Sequence, residues 1–185
     1  GTGTVWYNLI GTVNGTLSAS SIGTTTAGTM TFDGVDDTLN IVLASLVSSD
    51  FTVIGVSGKV AGSNGRLISA RSNNFLLGHH GTGSRKYYSE GWVASSYSDS
   101  SNDVHIYCGT GDISGDVYSF REDNVNYTQT ASGGSQGPNG FALGSFQNGS
   151  EYGTGTITVL LVYNRVLTDA EIDQNFNAQK NRFGV

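Results

Sequence analysis

The sequence is poor in cysteine, in proline and in charged residues. Cys108 is the single cysteine among 185 residues, which excludes a framework of intrachain disulfides. Charged residues make up 13% of the chain, well below the usual share of ~25%. Nine basic residues against 15 acidic ones give a net charge of −6. Without any basic run, the chain lacks the positive surface that nucleic acid or an anionic membrane attracts.

Long apolar runs are missing as well, which excludes a transmembrane helix of the usual length. The N-terminus shows no signal-peptide pattern and starts at Gly1 without a methionine. We therefore expect one domain over residues 1–185 that belongs to a larger protein or assembly. The oligomeric state stays open, a homo-oligomer included.

Glycine is abundant, with 27 residues, and hydrophobic residues reach 37%. This hydrophobic content argues against disorder. Short alternating apolar runs recur between turn signals every 8–12 residues, which predicts about twelve strands. Asn14-Gly15 is predicted to be a turn with positive φ angles, and Asp123-Asn124 is predicted to be a hairpin turn. The fold class is all-β, a sandwich or jelly roll of two antiparallel sheets.

The C-terminal segment carries the clearest local signals. Residues 155–163 predict a strand with apolar side chains on both faces, Ile157, Val159, Leu161 and Tyr163 on one and Leu160 and Val162 on the other. Thr168 and Glu171 predict a capping box at the start of a short helix, and Gly184 predicts its end. We expect a central strand followed by a helix that covers the sheet.

Four stretches of the chain resemble the concanavalin A-like lectin/glucanase superfamily, and its laminin-G-like branch above all. They read Thr-Phe-Asp-Gly-Val-Asp-Asp at 31–37, Phe-Thr-Val at 51–53, Phe-Ala-Leu-Gly-Ser at 141–145, and the segment from Gly155 to Ile172. Residues 176–178 and 182–184 are similar to copies in bacteriophage and other viral structural proteins. The resemblance implies a two-sheet jelly roll, and it implies lectins, binding modules, adhesion domains or polysaccharide-cleaving enzymes as possible functions.

The enzyme class is disfavoured by the glutamates. Glucanases of this superfamily carry Glu-x-Asp-x-x-Glu on one strand, which supplies a nucleophile and an acid. None of Glu90, Glu122, Glu151 and Glu171 has that spacing. The Gly-x-Ser-x-Gly string at 133–137 lies in a glycine- and serine-rich loop rather than between a strand and a helix. We predict that the chain is not an enzyme.

Aromatic residues at 87–97 are the best candidates for a binding surface. A tyrosine or tryptophan ring can stack on the apolar face of a sugar while polar neighbours bind its hydroxyl groups. The alternative is that these rings fill the core between the sheets. The ligand-binding candidates are Tyr88, Glu90, Trp92 and Tyr97, with His105 and Tyr107 on the polar face of the next strand.

Two groups of acidic residues offer oxygen ligands for calcium, which takes six to eight such ligands. The candidates are Asp33, Asp36 and Asp37 in one loop, and Asp99 and Asp103 around a second loop. The alternative for the first loop is a turn in which aspartate side chains accept backbone hydrogen bonds. His79 and His80 are adjacent on a strand, so their side chains point to opposite faces and do not chelate one ion unless the strand ends there.

The sequence therefore predicts a non-catalytic, lectin-like module on a virion or an extracellular assembly. Its partners would be carbohydrates or proteins of a virion or cell surface. The alternative is a purely structural capsid or tail module that binds no sugar.

Overall fold

A computed structural model describes residues 5–9, 11–17, 28–95, 103–128, 133–147 and 149–184. Within these ranges the chain forms fourteen strands and one helix. The strands are β1 (Val5–Trp6), β2 (Gly15–Leu17), β3 (Met30–Asp33), β4 (Leu39–Ile41), β5 (Phe51–Lys59), β6 (Ile68–Ala70), β7 (Phe75–His80), β8 (Gly83–Ser89), β9 (Trp92–Ala94), β10 (Val104–Asp112), β11 (Val117–Glu122), β12 (Val125–Thr128), β13 (Phe141–Leu143) and β14 (Thr154–Tyr163). The helix is α1 (Asp169–Phe183).

The strands form two antiparallel sheets, as the sequence predicts. The larger sheet has eight strands in the order β1-β2-β4-β13-β6-β7-β8-β9. The smaller sheet has six strands in the order β12-β11-β10-β5-β14-β3. Because neighbours in space are often distant in sequence, the sheets depend on long-range pairing, as in other sandwiches of this kind.

The main core lies between the two sheets and is rich in aromatic rings. Alternation along β7 directs Phe75 and Leu77 into this core, while Leu76 points to the outer face of the larger sheet. The fully buried rings of the core include Phe32, Phe51, Phe75, Tyr87, Tyr107, Phe120 and Phe141. Burial of this aromatic area is the main source of stability.

A second, smaller core lies between α1 and the outer face of the smaller sheet. Ile172 of α1 packs there with Ile54, Ile106 and Cys108 of β5 and β10. Burial raises the pKa of the Cys108 thiol to about 12, so it is an inert packing residue. Both faces of β5 are thus covered, which explains why all nine of its residues are buried.

The predicted alternation in β14 is wrong at its start. A register shift between Ile157 and Val159 inserts one extra residue, Thr158, into the pairing with β5. Ile157 therefore faces the main core together with Leu160 and Val162. Val159, Leu161 and Tyr163 face the helix instead. The strand lies next to β3 at one side of the smaller sheet and not at its centre.

The two predicted turns have different outcomes. Asp123 and Asn124 both have positive φ angles, 48° and 64°, between β11 and β12, so the predicted hairpin turn is confirmed. Gly15 instead begins β2 and pairs with Trp6. A Cβ atom at this position would lie 2.5 Å from Leu39 Cδ2. Glycine therefore allows the backbone of β2 to lie close to the Leu39 side chain of β4.

The predicted helix signals at α1 are confirmed. The Glu171 backbone N–H donates to Thr168 Oγ1 at 3.4 Å, and the Thr168 N–H donates to Glu171 Oε2 at 2.9 Å. Gly184 adopts the left-handed conformation at the C-terminal end. No helix among the described residues is long and apolar enough to cross a membrane.

Replacing the capping threonine should weaken the fold measurably. Thr168→Ala removes the side-chain acceptor for the Glu171 N–H, so we expect a loss of about 1 kcal/mol in the free energy of unfolding. Urea denaturation measures this loss. The same change at exposed Thr82 in the β7–β8 turn is the matched control and should have almost no effect. Equal losses in both variants would contradict the role of the cap.

Candidate functional site

The strongest candidate site is an aromatic cluster on the outer face of the larger sheet. Tyr88 of β8 pairs directly with Trp92 of β9, so the two side chains lie on the same face. The Trp92 ring meets the Tyr88 ring at a centroid distance of 5.1 Å and the His80 ring at 5.4 Å, both edge to face. Trp92 remains 40% exposed. We call His80, Tyr88 and Trp92 the aromatic platform.

The tight turn between β8 and β9 sets the position of Trp92. Glu90 has a φ angle of 52°, and its carboxylate accepts the Asn74 backbone N–H at 2.6 Å. The Glu90 N–H donates in return to the Asn74 carbonyl at 2.9 Å. These reciprocal bonds anchor the turn to the end of the neighbouring hairpin. Glu90 therefore supports the platform, and its carboxylate is already engaged.

A charged border lies beside the platform. Glu151 accepts two hydrogen bonds from Arg66, at 2.7 Å from Nε and 3.3 Å from Nη2. Arg66 also donates to Asn74 Oδ1 at 2.7 Å and stacks 4.0 Å above the Phe146 ring. The Arg66 side chain is 5% exposed, whereas that of Glu151 is 41% exposed. Arg66 thus orients Glu151, and Glu151 is the group that solvent or a ligand reaches.

His80 connects the aromatic platform to this border. Its Nε2 atom lies 3.8 Å from Glu151 Oε2. Burial, followed by the positive charge of Arg66, lowers the pKa of His80 below its usual value. The imidazole is therefore neutral at pH 7 and presents one N–H donor and one acceptor. It gives the platform a polar edge without a positive charge.

The middle of this outer face is covered by the segment after β13. Ser69, Leu76 and Ala142 share the row of the sheet that ends in Tyr88 and Trp92, and all three are buried. The Ser69 hydroxyl donates to the Ser145 carbonyl, which holds this segment against the sheet. The platform is the part of this row left accessible at the side of β8 and β9.

The predicted ligand residues are divided between two places. Tyr88 and Trp92 come together, and Glu90 lies in the turn between their strands. Tyr97 lies outside the described residues. The structure corrects the placement of Tyr107, which is fully buried in the main core, because its strand directs it between the sheets. His105 lies beside Tyr107, at a ring distance of 5.9 Å, and so it does not contribute to the platform.

His105 belongs to a polar cluster at one end of the space between the sheets. Its Nδ1 atom lies 2.6 Å from Asp123 Oδ2, and this contact raises the pKa of His105. Buried Glu122 accepts a hydrogen bond from Arg85, and burial raises the pKa of Glu122. Donor atoms of His105, Glu122 and Asp123 lie within 4.8 Å of one another. They have the chemistry of a metal site, but Arg85 already neutralises Glu122.

His79, on the same strand as His80, points inward as the alternation predicts. It is buried, and its Nε2 atom lies 3.2 Å from the Ser57 hydroxyl. Burial lowers the pKa of His79 to about 3, so this histidine is neutral at any physiological pH. Of the two adjacent histidines, His79 thus lies in the interior and His80 belongs to the platform.

The predicted calcium residues also separate. Oxygen atoms of Asp33, at the end of β3, and of Asp36 and Asp37, in the loop that follows, lie within 4.8 Å of one another. Asp37 is buried and accepts the Asp33 backbone N–H at 3.0 Å through Oδ2. Its Oδ1 has no partner among the described residues. Asp103 is exposed and belongs to neither described cluster, and Asp99 lies outside the described residues.

Removing the charge of Asp37 should stabilise the protein when no divalent cation is present. Burial, followed by the negative charges of Asp33 and Asp36, raises the pKa of Asp37. A raised carboxyl pKa means that ionised Asp37 costs stability above that pKa and that protonation relieves this cost. We expect Asp37→Asn to have a higher melting temperature than the natural sequence at pH 7 in EDTA, and a smaller advantage at pH 4.

The second part of this experiment repeats the melting measurement with calcium added. If the three aspartates bind it, calcium raises the melting temperature of the natural sequence and not that of Asp37→Asn. Asp116→Asn, in an exposed turn of the other sheet, is the matched control. A lower melting temperature of Asp37→Asn in EDTA would contradict the cost assigned to the ionised Asp37.

Comparison with known proteins supports the architecture. No protein-family model and no curated protein matches the chain. Solved structures do match. The sialidase of Trypanosoma rangeli in complex with sialic acid superposes with a TM-score of 0.72 at 18% identity, over 97% of this chain and 32% of the sialidase. The botulinum neurotoxin serotype D binding domain gives a TM-score of 0.67 at 12% identity, over 91% of this chain and 47% of that domain.

The fold is a two-sheet jelly-roll sandwich. The receptor-binding domain of a botulinum neurotoxin C/D mosaic serotype agrees with this conclusion, with a TM-score of 0.68 at 12% identity. The chain spans about a third of the sialidase and about half of the toxin domains. At these identities the comparisons establish the fold and leave the function to be argued from the site.

Sequence patterns missed three contributors to the site: His80, Arg66 and Glu151. The one available signal was that His80, in the alternation along β7, falls on the same side as the outward-facing residues. Arg66 and Glu151 are 85 residues apart, and nothing local indicates that they meet. Chemically, the assembled site can stack an apolar ring face, accept hydrogen bonds on Glu151, and donate or accept at His80.

Proposed function

We propose that this chain is a non-catalytic, lectin-like carbohydrate-binding module and that the aromatic platform is its binding surface. The observation that carries the proposal is Trp92, a large aromatic side chain that is 40% exposed and meets the His80 and Tyr88 rings at steep angles. A sugar ring can stack on such an indole, while groups at the border bind its hydroxyl groups. The neighbours in structure include a sialidase complexed with sialic acid and two toxin binding domains, which is consistent with this class.

The absence of a catalytic role is part of the same proposal. A glycosidase of the common type needs two carboxyl groups on either side of the scissile bond. At the platform, Glu90 accepts a backbone hydrogen bond within its turn, and Glu151 is paired with Arg66. Neither is arranged as a buried general acid. Binding without bond cleavage is the chemistry that this geometry supports.

The location that accompanies this function is an extracellular or virion surface, where glycans are accessible. The virion part of this proposal is motivated by the sequence resemblance inferred for residues 176–178 and 182–184. The partners would be carbohydrates of a cell surface or of an extracellular polymer.

A glycan array followed by calorimetric titration tests the proposal. We expect the isolated chain to bind at least one class of glycan, and we expect excess ligand to raise its melting temperature. Reducing-sugar release should stay at the level of the buffer for every glycan that binds. A lack of binding to every glycan class would contradict the proposed function. Release of reducing sugar would contradict its non-catalytic part.

A structural module that contacts other proteins is the second candidate. The N-terminal segment around β1 favours it, because Tyr7 is 71% exposed and Leu9 is 97% exposed. Exposed apolar side chains so close in sequence are typical of contact surfaces. Tyr7→Ala should then weaken assembly with the neighbouring protein and leave glycan binding unchanged.

A further inference from the structure

We propose that the platform selects neutral pyranoses over acidic sugars, with Glu151 as the residue that sets this preference. The inference rests on the proposed function, because it concerns the ligand of the same site. It follows from which charged groups at the platform are already engaged and which one is left to face a ligand.

The positive groups near the platform are committed to protein partners. The chain has nine lysines and arginines, and all nine lie in the described ranges. Three of them, Arg66, Lys86 and Lys59, act on the pKa of His80. Lys59 is buried and donates to the Gly81 carbonyl. Arg66 is 5% exposed and directs its donors to Glu151 and Asn74. Lys86 donates to the Ser95 carbonyl through Nζ.

The remaining basic group of the platform, His80, carries no charge at neutral pH, since burial lowers its pKa. Of these groups Lys86 alone is not buried and has donors to spare for a charge-assisted hydrogen bond to a sugar carboxylate, since an ammonium has three N–H groups and one of them bonds the Ser95 carbonyl. A bond to Arg66 would require breaking its contacts with Glu151 or Asn74, so the preference depends on the fixed carboxylate of Glu151.

The negative group is the accessible one. Glu151 is 41% exposed, and Arg66 fixes it from the inner side with two hydrogen bonds. A fixed carboxylate accepts hydrogen bonds from hydroxyl donors, and two hydroxyls on adjacent carbons of a pyranose match its two oxygens. The same carboxylate repels a uronic or sialic acid that stacks on Trp92 beside it.

The ligand class that fits is therefore a neutral pyranose with one apolar face for the indole and vicinal hydroxyls for Glu151. This differs from the sialic acid in the sialidase complex, of which this chain matches only 32% of the length. A shared sandwich does not transfer a ligand, because the side chains on its surface decide the chemistry.

The test is a direct comparison of ligands by NMR chemical-shift titration. The neutral probes are the methyl glycosides of galactose, glucose and mannose, and the acidic probes are N-acetylneuraminic acid and methyl glucuronide. For the natural sequence we expect at least one neutral probe to bind about tenfold or more tightly than either acidic probe. The comparison needs no variant, so it stands even if a substitution disturbs the fold.

Glu151→Gln tests the residue itself. Gln keeps the size of the side chain and removes the charge, so we expect about tenfold weaker binding of the neutral probe and a loss of most of the discrimination against acids. Asp116→Asn makes the same change of charge in the exposed β10–β11 turn and should leave both affinities unchanged.

The outcomes separate this inference from the proposed function. If an acidic probe binds as tightly as the neutral ones and Trp92→Ala abolishes its binding, the platform binds sugar and the inference is wrong. If Trp92→Ala changes nothing, or if no probe of either class binds, the proposed function fails and the inference fails with it. Unchanged selectivity in Glu151→Gln would also overturn the role of that residue.

Discussion

Trp92→Ala is expected to weaken glycan binding about 30-fold or more while leaving the fold intact. An exposed indole that contacts the ligand directly is the kind of residue whose truncation costs about 2 kcal/mol or more in binding. Because Trp92 is 40% exposed and lies outside the main core, we expect its loss to change the free energy of unfolding by about 1 kcal/mol or less. Calorimetric titration with the best ligand from the array measures the first effect, and urea denaturation measures the second.

Two further variants sharpen this prediction. Trp92→Phe keeps a ring at the platform and should retain an intermediate affinity. Tyr7→Ala removes an aromatic side chain that is more exposed than Trp92 but lies in the N-terminal segment, so it should bind like the natural sequence. If Trp92→Ala and Tyr7→Ala had equal effects on affinity, binding would not be localised at the platform.

Phe75→Ala is expected to cost about 3–5 kcal/mol of stability, which is a large part of the 5–15 kcal/mol typical of a domain. The Phe75 ring is fully buried and meets Phe51, Tyr87 and Phe141 edge to face at centroid distances of 6.1, 5.8 and 6.0 Å. Its removal leaves a cavity where both sheets meet. Chemical denaturation of the variant should show the loss as an earlier midpoint with an unchanged slope.

Phe75→Leu is the matched control for this prediction. Leucine fills most of the space and keeps the position apolar, so we expect a loss of less than about 1.5 kcal/mol. Glycan binding of the folded fraction should be unchanged in both variants, because Phe75 points away from the outer face. A cost below 1 kcal/mol for Phe75→Ala would contradict the packing of the two sheets around this ring.

Local patterns predicted the parts of the fold that depend on neighbours in sequence. The capping box at Thr168, the left-handed Gly184 and the hairpin at Asp123-Asn124 each need only a few adjacent residues. The wrong face predicted for Ile157 has the opposite cause, because it depends on a strand that is distant in sequence. A bulge at Thr158 follows from pairing with β5 and leaves no mark in an alternating apolar run.

The candidate site was predictable to a similar extent. The sequence grouped Tyr88 and Trp92 as binding candidates, and the structure places them on one face through the pairing of β8 with β9. The sequence could not decide whether these two rings point inward or outward, because the adjacent Tyr87 and Val93 are equally suitable core residues. Arg66 and Glu151 meet because the segment after β13 folds back over the sheet, and that path is set by tertiary packing.

The most direct test of the central claim uses the two tryptophans of the chain. Trp6 packs against the main core, and Trp92 lies on the platform, so a ¹⁵N-labelled sample gives two indole N–H signals that Trp92→Phe assigns. If the platform binds sugar, titration with the best glycan shifts the Trp92 indole signal in proportion to saturation and leaves the Trp6 signal in place. Saturation of binding with an unmoved Trp92 signal would place the ligand elsewhere and contradict the account.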